Sequence, residues 1–188
     1  MIGYKEDTLV TILKYYPEYE RVERENVKIS EVKDTDYVGF LYLPSQSLIF
    51  LKANISSGNY KGQLHKLTDG EDKEIITYCE GQKLLCCQFE ENVELPIVDE
   101  RKLEEFKEED SLSTMTGLSY MVDYEKNKTI EEYVRYYEDP SMSRYRYQKR
   151  EIMDEQLFDY NGTIYNFITP IEYALVMNNF QIGTTLHK

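Results

Sequence analysis

The residues that could do chemistry in this chain are few, and their spacing excludes most of the chemistry they could do. There are two histidines, His65 and His187, and three cysteines, Cys79, Cys86 and Cys87. A structural or catalytic zinc site needs three or four convergent nitrogen or thiolate ligands, and no C-x-x-C pair occurs to start one. Gly117-Leu118-Ser119-Tyr120-Met121 imitates the opening of a nucleophile elbow but lacks its closing glycine. Gly58-Asn59-Tyr60-Lys61-Gly62 has a lysine between glycines, yet neither the spacing nor the hydroxyl residue of a phosphate loop. The acidic run from Asp69 to Glu74 is too short and misordered for a calcium loop, and Asp99 to Asp110 contains no glycine to turn one. Nucleophile, base and cofactor site are therefore all missing, so the sequence predicts neither an enzyme nor a cofactor- or metal-binding protein.

What remains is recognition. The chain carries a net charge of −13, and residues 68–110 concentrate it, with fifteen Asp and Glu against five Lys and Arg. Glu104, Glu105, Glu108, Glu109 and Asp110 close that segment. On a helix, Glu104 and Glu108, and Glu105 and Glu109, would stack at i, i+4 and repel by a few tenths of a kcal/mol, a tension that a basic partner would relieve. A second cluster, Tyr136, Tyr137, Arg144, Tyr145 and Arg146, interleaves the two residue types most enriched at interface hot spots. The bland readings are a solvated acidic face and tyrosines packed on a core. The functional reading is a non-enzymatic acidic inhibitor whose carboxylates stand where phosphates would stand, occluding a basic, nucleic-acid-binding protein partner. Small acidic proteins of phages and mobile elements directed at restriction or CRISPR effectors share this composition. The alternative is an intracellular immunity protein or antitoxin that neutralises a toxin through the Tyr/Arg surface. Direct nucleic-acid or anionic-membrane binding is disfavoured by the net charge.

These residues must be positioned by elements, and the stretch from Tyr37 to Leu67 organises them because it contains no acidic residue. It predicts a strand over 37–43, a turn at Pro44–Ser47, a strand over 48–51 and, after a turn at Ser56–Asn59, a strand over 60–67. Leu9, Ile12, Leu13 and Tyr16 recur at helical spacing and predict an amphipathic helix over 7–16, closed by Pro17. Residues 27–32 predict a short strand, 74–79 and 83–89 a hairpin, and 93–98 an edge strand.

From Asp99 the pattern predicts helices: a solvated one over 99–110, another from Leu112 to Val122, one capped by Thr129 with Glu132 at the third position, either one over 140–158 or a basic loop followed by a short helix there, and a buried one after Thr169-Pro170-Ile171-Glu172. Asn161-Gly162 predicts a two-residue hairpin turn with positive φ, between strands spanning 157–167. The expected fold is thus α+β, a mainly antiparallel sheet of about five to six strands over residues 27–98 with an N-terminal helix, and a C-terminal helical lobe containing a β-hairpin. Expected lobes are 1–98 and 99–188. An odd number of cysteines and no apolar run approaching a membrane span imply reduced thiols and a cytoplasmic location.

Overall fold

The computed structural model describes residues 2–88, 97–108, 110–117, 129–138, 145–177 and 181–187. Strand accounts for 62% of it and helix for 8%, which overturns the α+β expectation. In chain order the strands are β1 (Tyr4–Lys5), β2 (Leu9–Tyr16), β3 (Arg21–Lys28), β4 (Tyr37–Tyr42), β5 (Ser47–Lys52), β6 (Ile55–Thr68), β7 (Glu74–Cys79), β8 (Leu84–Gln88), β9 (Ile97–Arg101) and β10 (Asp110–Gly117). Then come α1 (Ile130–Tyr137), the one α-helix among the described residues, β11 (Tyr145–Arg150), β12 (Asp154–Thr169), β13 (Tyr173–Val176), β14 (Ile182–Gly183) and β15 (Leu186–His187).

Three curled sheets result. One runs β1-β12-β6-β7, with β15 added in parallel to β12; a second runs β11-β10-β8-β9; the third runs β14-β13-β4-β2-β3, with β5 on β4. Phe40 of β4 meets Phe167 of β12 edge-on, ring centroids 5.7 Å apart, so the first and third sheets share a core. Phe50 of β5 likewise meets Tyr133 of α1 at 5.8 Å, and both are fully buried. Each such side chain contributes about 1.5–3 kcal/mol through its removal from water.

The segment expected to be the first helix is β2. Helical spacing leaves out Val10, which is fully buried, and the eight-residue register with β3, from Leu9 opposite Lys28 to Tyr16 opposite Arg21, satisfies the backbone instead. The run Val10-Thr11-Ile12 is β-branched and fits a pleated surface. β3 is the outer strand of its sheet, and its Arg21, Glu23, Arg24, Glu25 and Lys28 make that edge a poor template for further pairing.

The helical lobe is also corrected. Residues 99–108 form the end of β9 and a 3-10 turn, Leu103–Glu105, with no continuous helix. Leu112 lies in β10 and not in a helix, while residues 118–122 of that expectation fall outside the described part. Of the helix expected over 140–158, residues 145–150 form β11 and 154–158 open β12, while 140–144 lie outside the described residues; the buried C-terminal run is β13, because a segment apolar on every side fits a strand covered on both faces as well as it fits a helix. The helix capped by Thr129 is present, with Thr129 Oγ1 accepting from the Glu132 amide at 3.2 Å.

Asn161-Gly162 is not a turn. Asn161 pairs with Lys61 and Gly162 with Tyr60 inside a fourteen-pair antiparallel ribbon of β6 and β12. The glycine is needed there for another reason: the Tyr160 ring lies across it, and a Cβ at Gly162 would sit 2.9 Å from the Tyr160 hydroxyl. That hydroxyl donates to the Thr163 carbonyl at 2.8 Å, and Tyr60 does the same over Gly62 to the Gln63 carbonyl at 2.8 Å. Each tyrosine also stands opposite the other strand's glycine, so the ribbon carries the same device twice. The Ser56–Asn59 turn is absent for the same reason, since these residues pair with Asn166 to Thr163.

The strand pair 37–42 and 47–52 forms as expected around the turn at 43–46. Strands β7 and β8 also form, but they do not pair with each other and belong to different sheets. Between them Gly81, at φ +79°, and buried Gln82 turn the chain from one sheet to the next.

Candidate functional site

The carboxylates expected on a helix are split by the turn after β9. Glu104, Glu105 and Glu108 are exposed, and none of them forms an ion pair with a described residue. Asp110 is different: its side chain is covered and accepts from Arg101 Nη1, Gln88 Nε2 and the Lys107 amide, each at 2.8 Å. Those donors hold its carboxyl below the ordinary range, the backbone amide of Lys107 most of all. Asp110 is a fastener of the turn and not a partner-facing charge. Glu109 and Arg144 lie outside the described residues. Tyr136 and Tyr137 end α1, which lies on β5 and β2, whereas Tyr145 and Arg146 lie on β11 opposite Gly117 and Thr116. The Tyr/Arg cluster is therefore divided between two elements.

Glu104 on this turn and a carboxylate far away in sequence, Glu155, both act on one phenol. Tyr78 of β7 is buried, which raises its phenol well above the ordinary value, and the charges of Glu155 and Glu104 beside it push in the same direction. Glu155, at the start of β12, accepts from His65 Nδ1 at 2.7 Å, and His65 stacks on Tyr78 with centroids 5.2 Å apart. Leu103, Phe106 and Ile152 pack below. The exposed acidic surface is thus assembled from two chain segments.

A second constellation lies where the two ends of the described chain meet. The Gly3 amide donates to Gln82 Oε1 at 3.1 Å, and the Cys79 amide donates to the same oxygen at 3.3 Å. Gln82 Nε2 donates to Thr184 Oγ1 at 3.3 Å, which donates in turn to the Lys83 carbonyl at 3.0 Å. Tyr4 donates its hydroxyl to the Thr184 carbonyl at 2.8 Å, and the Cys79 thiol points at the Gly3 carbonyl at 3.4 Å. Close approach demands glycine twice: a Cβ on Gly3 would meet the Tyr165 carbonyl oxygen at 2.7 Å, and one on Gly183 would run into the Tyr4 hydroxyl. Beyond it, His187 Nε2 and Glu100 Oε1 are 3.0 Å apart.

Chemically this cluster is a set of donors and acceptors that satisfy one another. Cys79 is its one thiol, but burial raises it above its ordinary value, and neither histidine is hydrogen-bonded to it to take its proton. Gly3 offers no side chain. Of these residues only Cys79 stands out in the sequence, as one of three cysteines; Gln82, Thr184 and Gly3 do not, because a glutamine after a glycine and a threonine near the end carry no pattern until the fold joins them.

One cleft, of about 370 Å³, opens beside this junction between residues Lys5, Asp7, Thr8 and Leu9 on one wall and Lys73 to Thr77 on the other, with Met177 at its floor. Among the described residues no group of three or more histidine, cysteine, aspartate or glutamate side chains could hold a metal ion. No described helix is long and apolar enough to cross a membrane.

The three curled antiparallel sheets have a counterpart among solved structures. A KlbA intein precursor from Methanococcus jannaschii, solved in solution, superposes with a TM-score of 0.61 at 13% identity, covering 100% of this chain and 92% of that one. No protein family and no curated protein matches the sequence.

Proposed function

We propose that this chain is a non-enzymatic acidic binding protein, built on an intein-like scaffold, that works by occluding a basic partner whose ordinary ligand is nucleic acid. The observation that carries this reading is the set of exposed carboxylates on the 102–108 turn, Glu104, Glu105 and Glu108, together with exposed Glu155 of β12, whose charge acts with that of Glu104 on Tyr78. These charges gain little from one another and would gain from a cationic surface, because apposed patches of opposite sign steer and orient association. The likeness to an intein precursor contributes the scaffold alone. A basic nuclease or effector of a defence system would be a fitting target for a protein of this composition.

The test compares wild type with Glu104, Glu105, Glu108 and Glu155 all changed to Lys, against whatever partner the wild type retains from its host. Binding should fall steeply with salt, as screening acts over about 8 Å at physiological ionic strength. Added DNA should displace the protein, and the reversed variant should lose affinity by about tenfold or more, the equivalent of roughly 1.4 kcal/mol. Unchanged affinity in that variant overturns the acidic-surface reading and shifts attention to the Tyr/Arg residues of α1 and β11.

A further inference from the structure

β12 has β6 along one side, but on its other side β1 joins only at Ile164 and Tyr165 and β15 only at Ile168 and Thr169. Among the described residues no strand pairs with that second edge over 154–163. Which backbone groups the open edge presents follows from the ladder. The Ile168 amide donates to the Asn54 carbonyl at 2.9 Å, one step beyond Phe167 opposite Ile55, so the even-numbered residues of β12 turn their backbone toward β6. Hydrogen-bonded and non-hydrogen-bonded pairs alternate in an antiparallel ladder, so Glu155, Leu157, Asp159, Asn161 and Thr163 turn N–H and C=O away from it. The Tyr160 hydroxyl agrees with this phase: it donates to the Thr163 carbonyl and accepts from the Glu6 amide, which follows β1 on the side away from β6. That closes the edge at Thr163. Glu155, Leu157, Asp159 and Asn161 keep outward donors and acceptors that no described strand takes up.

The side chains along this edge select its occupant. Residues 154–157, 159 and 161 are exposed, and Leu157 is 54% accessible, unusual for a leucine on a strand. Glu155 and Asp159 stand two positions to either side of it and share its face. Asp154, Glu155 and Asp159 are all acidic, and no Lys or Arg occurs between 154 and 163. His65 Nδ1 donates to Glu155 and orients it, while Asp154 and Asp159 form no ion pair with a described residue. The outer strand β3 is different, since its carboxylates are interleaved with Arg21, Arg24 and Lys28. An edge of one sign repels a second copy of itself and favours a basic strand, because like charges facing across a ladder destabilise it and opposite charges stabilise it. We propose that the open edge of β12 takes an extended segment of the partner protein in which an apolar residue is flanked, two positions away on each side, by basic ones. The segment pairs its backbone antiparallel with Glu155, Leu157 and Asp159, lays its apolar side chain on Leu157 and sets its basic side chains opposite Glu155 and Asp159. Assigning this segment to a nucleic-acid-binding partner rests on the acidic-surface reading above. The open edge and its charge do not.

The probe is a synthetic peptide, Thr-Lys-Thr-Val-Thr-Lys-Thr with blocked ends, titrated into the isotope-labelled full chain. Comparison peptides carry glutamate for both lysines, an N-methyl group on the valine, or an N-methyl group on a threonine beside it. Amide shifts should concentrate at residues 154–163. Exchange of the Glu155, Leu157 and Asp159 amides should slow at saturation, while that of Gln156 and Phe158, already turned to β6, should not. N-methylation of the valine, which removes the N–H aimed at Leu157, should weaken binding by about tenfold, the order expected for a lost hydrogen bond. N-methylation of the threonine, whose N–H points away from β12, should weaken it far less. Asp159→Lys, a change at an exposed position, should lower affinity for the lysine peptide several-fold and raise it for the glutamate peptide. No binding of the lysine peptide at about 1 mM, near the weakest useful affinity, overturns the edge site. Shifts centred outside 154–163, or equal penalties from the two N-methyl groups, overturn it as well. Equal binding of the lysine and glutamate peptides overturns the basic occupant. Failure of the acidic-surface reading looks different: the peptides bind as expected, which upholds the edge, yet the protein retained from the host binds the variant with Glu104, Glu105, Glu108 and Glu155 reversed as tightly as wild type.

Discussion

A carboxylate's neighbours decide whether it is available to a partner, and Asp110 and Glu108 are the contrast in this chain. Glu108 is exposed, whereas Asp110 is enclosed by three donors and sits on the ladder as the partner of Gln88. With the folded value of Asp110 lowered, its contribution to stability is fully present above the ordinary carboxylate range and is lost as pH falls through the lowered value. Asp110→Asn should therefore melt several degrees lower than wild type at neutral pH, with the gap narrowing in acid; a gap that stays constant from neutral to acid pH refutes this. The Tyr160–Gly162 pair gives a second test at the same scale. Gly162→Ala should displace the Tyr160 hydroxyl from the Thr163 carbonyl and cost about 1–2 kcal/mol, much of it the lost hydrogen bond. Tyr160→Phe should cost part of the same energy, so a chemical-denaturation double-mutant cycle should be clearly non-additive.

At the scale of elements, the fold is governed by pairing partners that lie far apart in the chain. The ribbon of β6 and β12 joins residues about a hundred positions apart, and it pulls Asn161-Gly162 out of the turn that its local chemistry favours. Where partners are adjacent, as in β4 and β5, local signals and final structure agree. Phe50, on β5, has its ring against Tyr133 of α1, so Phe50→Ala should cost about 3–5 kcal/mol in denaturant unfolding, as for other buried aromatic truncations. A loss below about 1 kcal/mol would remove Phe50 from the core. The divided Tyr/Arg cluster has the same origin: a stretch that reads as one continuous surface in sequence is distributed over a helix and a strand in different places.

The molecule as a whole is fastened where its ends meet. Gln82 stands at the corner between two sheets and bonds both the Gly3 amide and Thr184, so removing it loosens three segments at once. Gln82→Ala should leave the Gly3 and Cys79 amides without their acceptor in a buried place, at about 1–3 kcal/mol each before relaxation. The expected signature is faster hydrogen exchange at Gly3, Cys79 and the 182–185 segment together, and protection unchanged at those amides would refute the fastening role. Gly183→Ala should be more damaging, because the added carbon meets the Tyr4 hydroxyl and the Met177 methyl group within 2.6 Å.

The sequence by itself determined several things. The acidic excess, the strands β4, β5, β7 and β8, the Thr129 cap and the scarcity of catalytic side chains are all legible in it, because each depends on composition or on neighbours a few positions apart. Tertiary structure alone decided the rest. Helix and buried strand share the same apolar runs at 9–16 and 173–176, and only a distant partner strand selects between them. Gln82, Thr184 and Gly3 become a network only when the ends are brought together, and Glu104 and Glu155 act on one phenol, that of Tyr78, only once the fold is formed. Local propensity amounts to tenths of a kcal/mol per residue, whereas a long strand register and a shared core amount to many times that, so the distant contacts prevail.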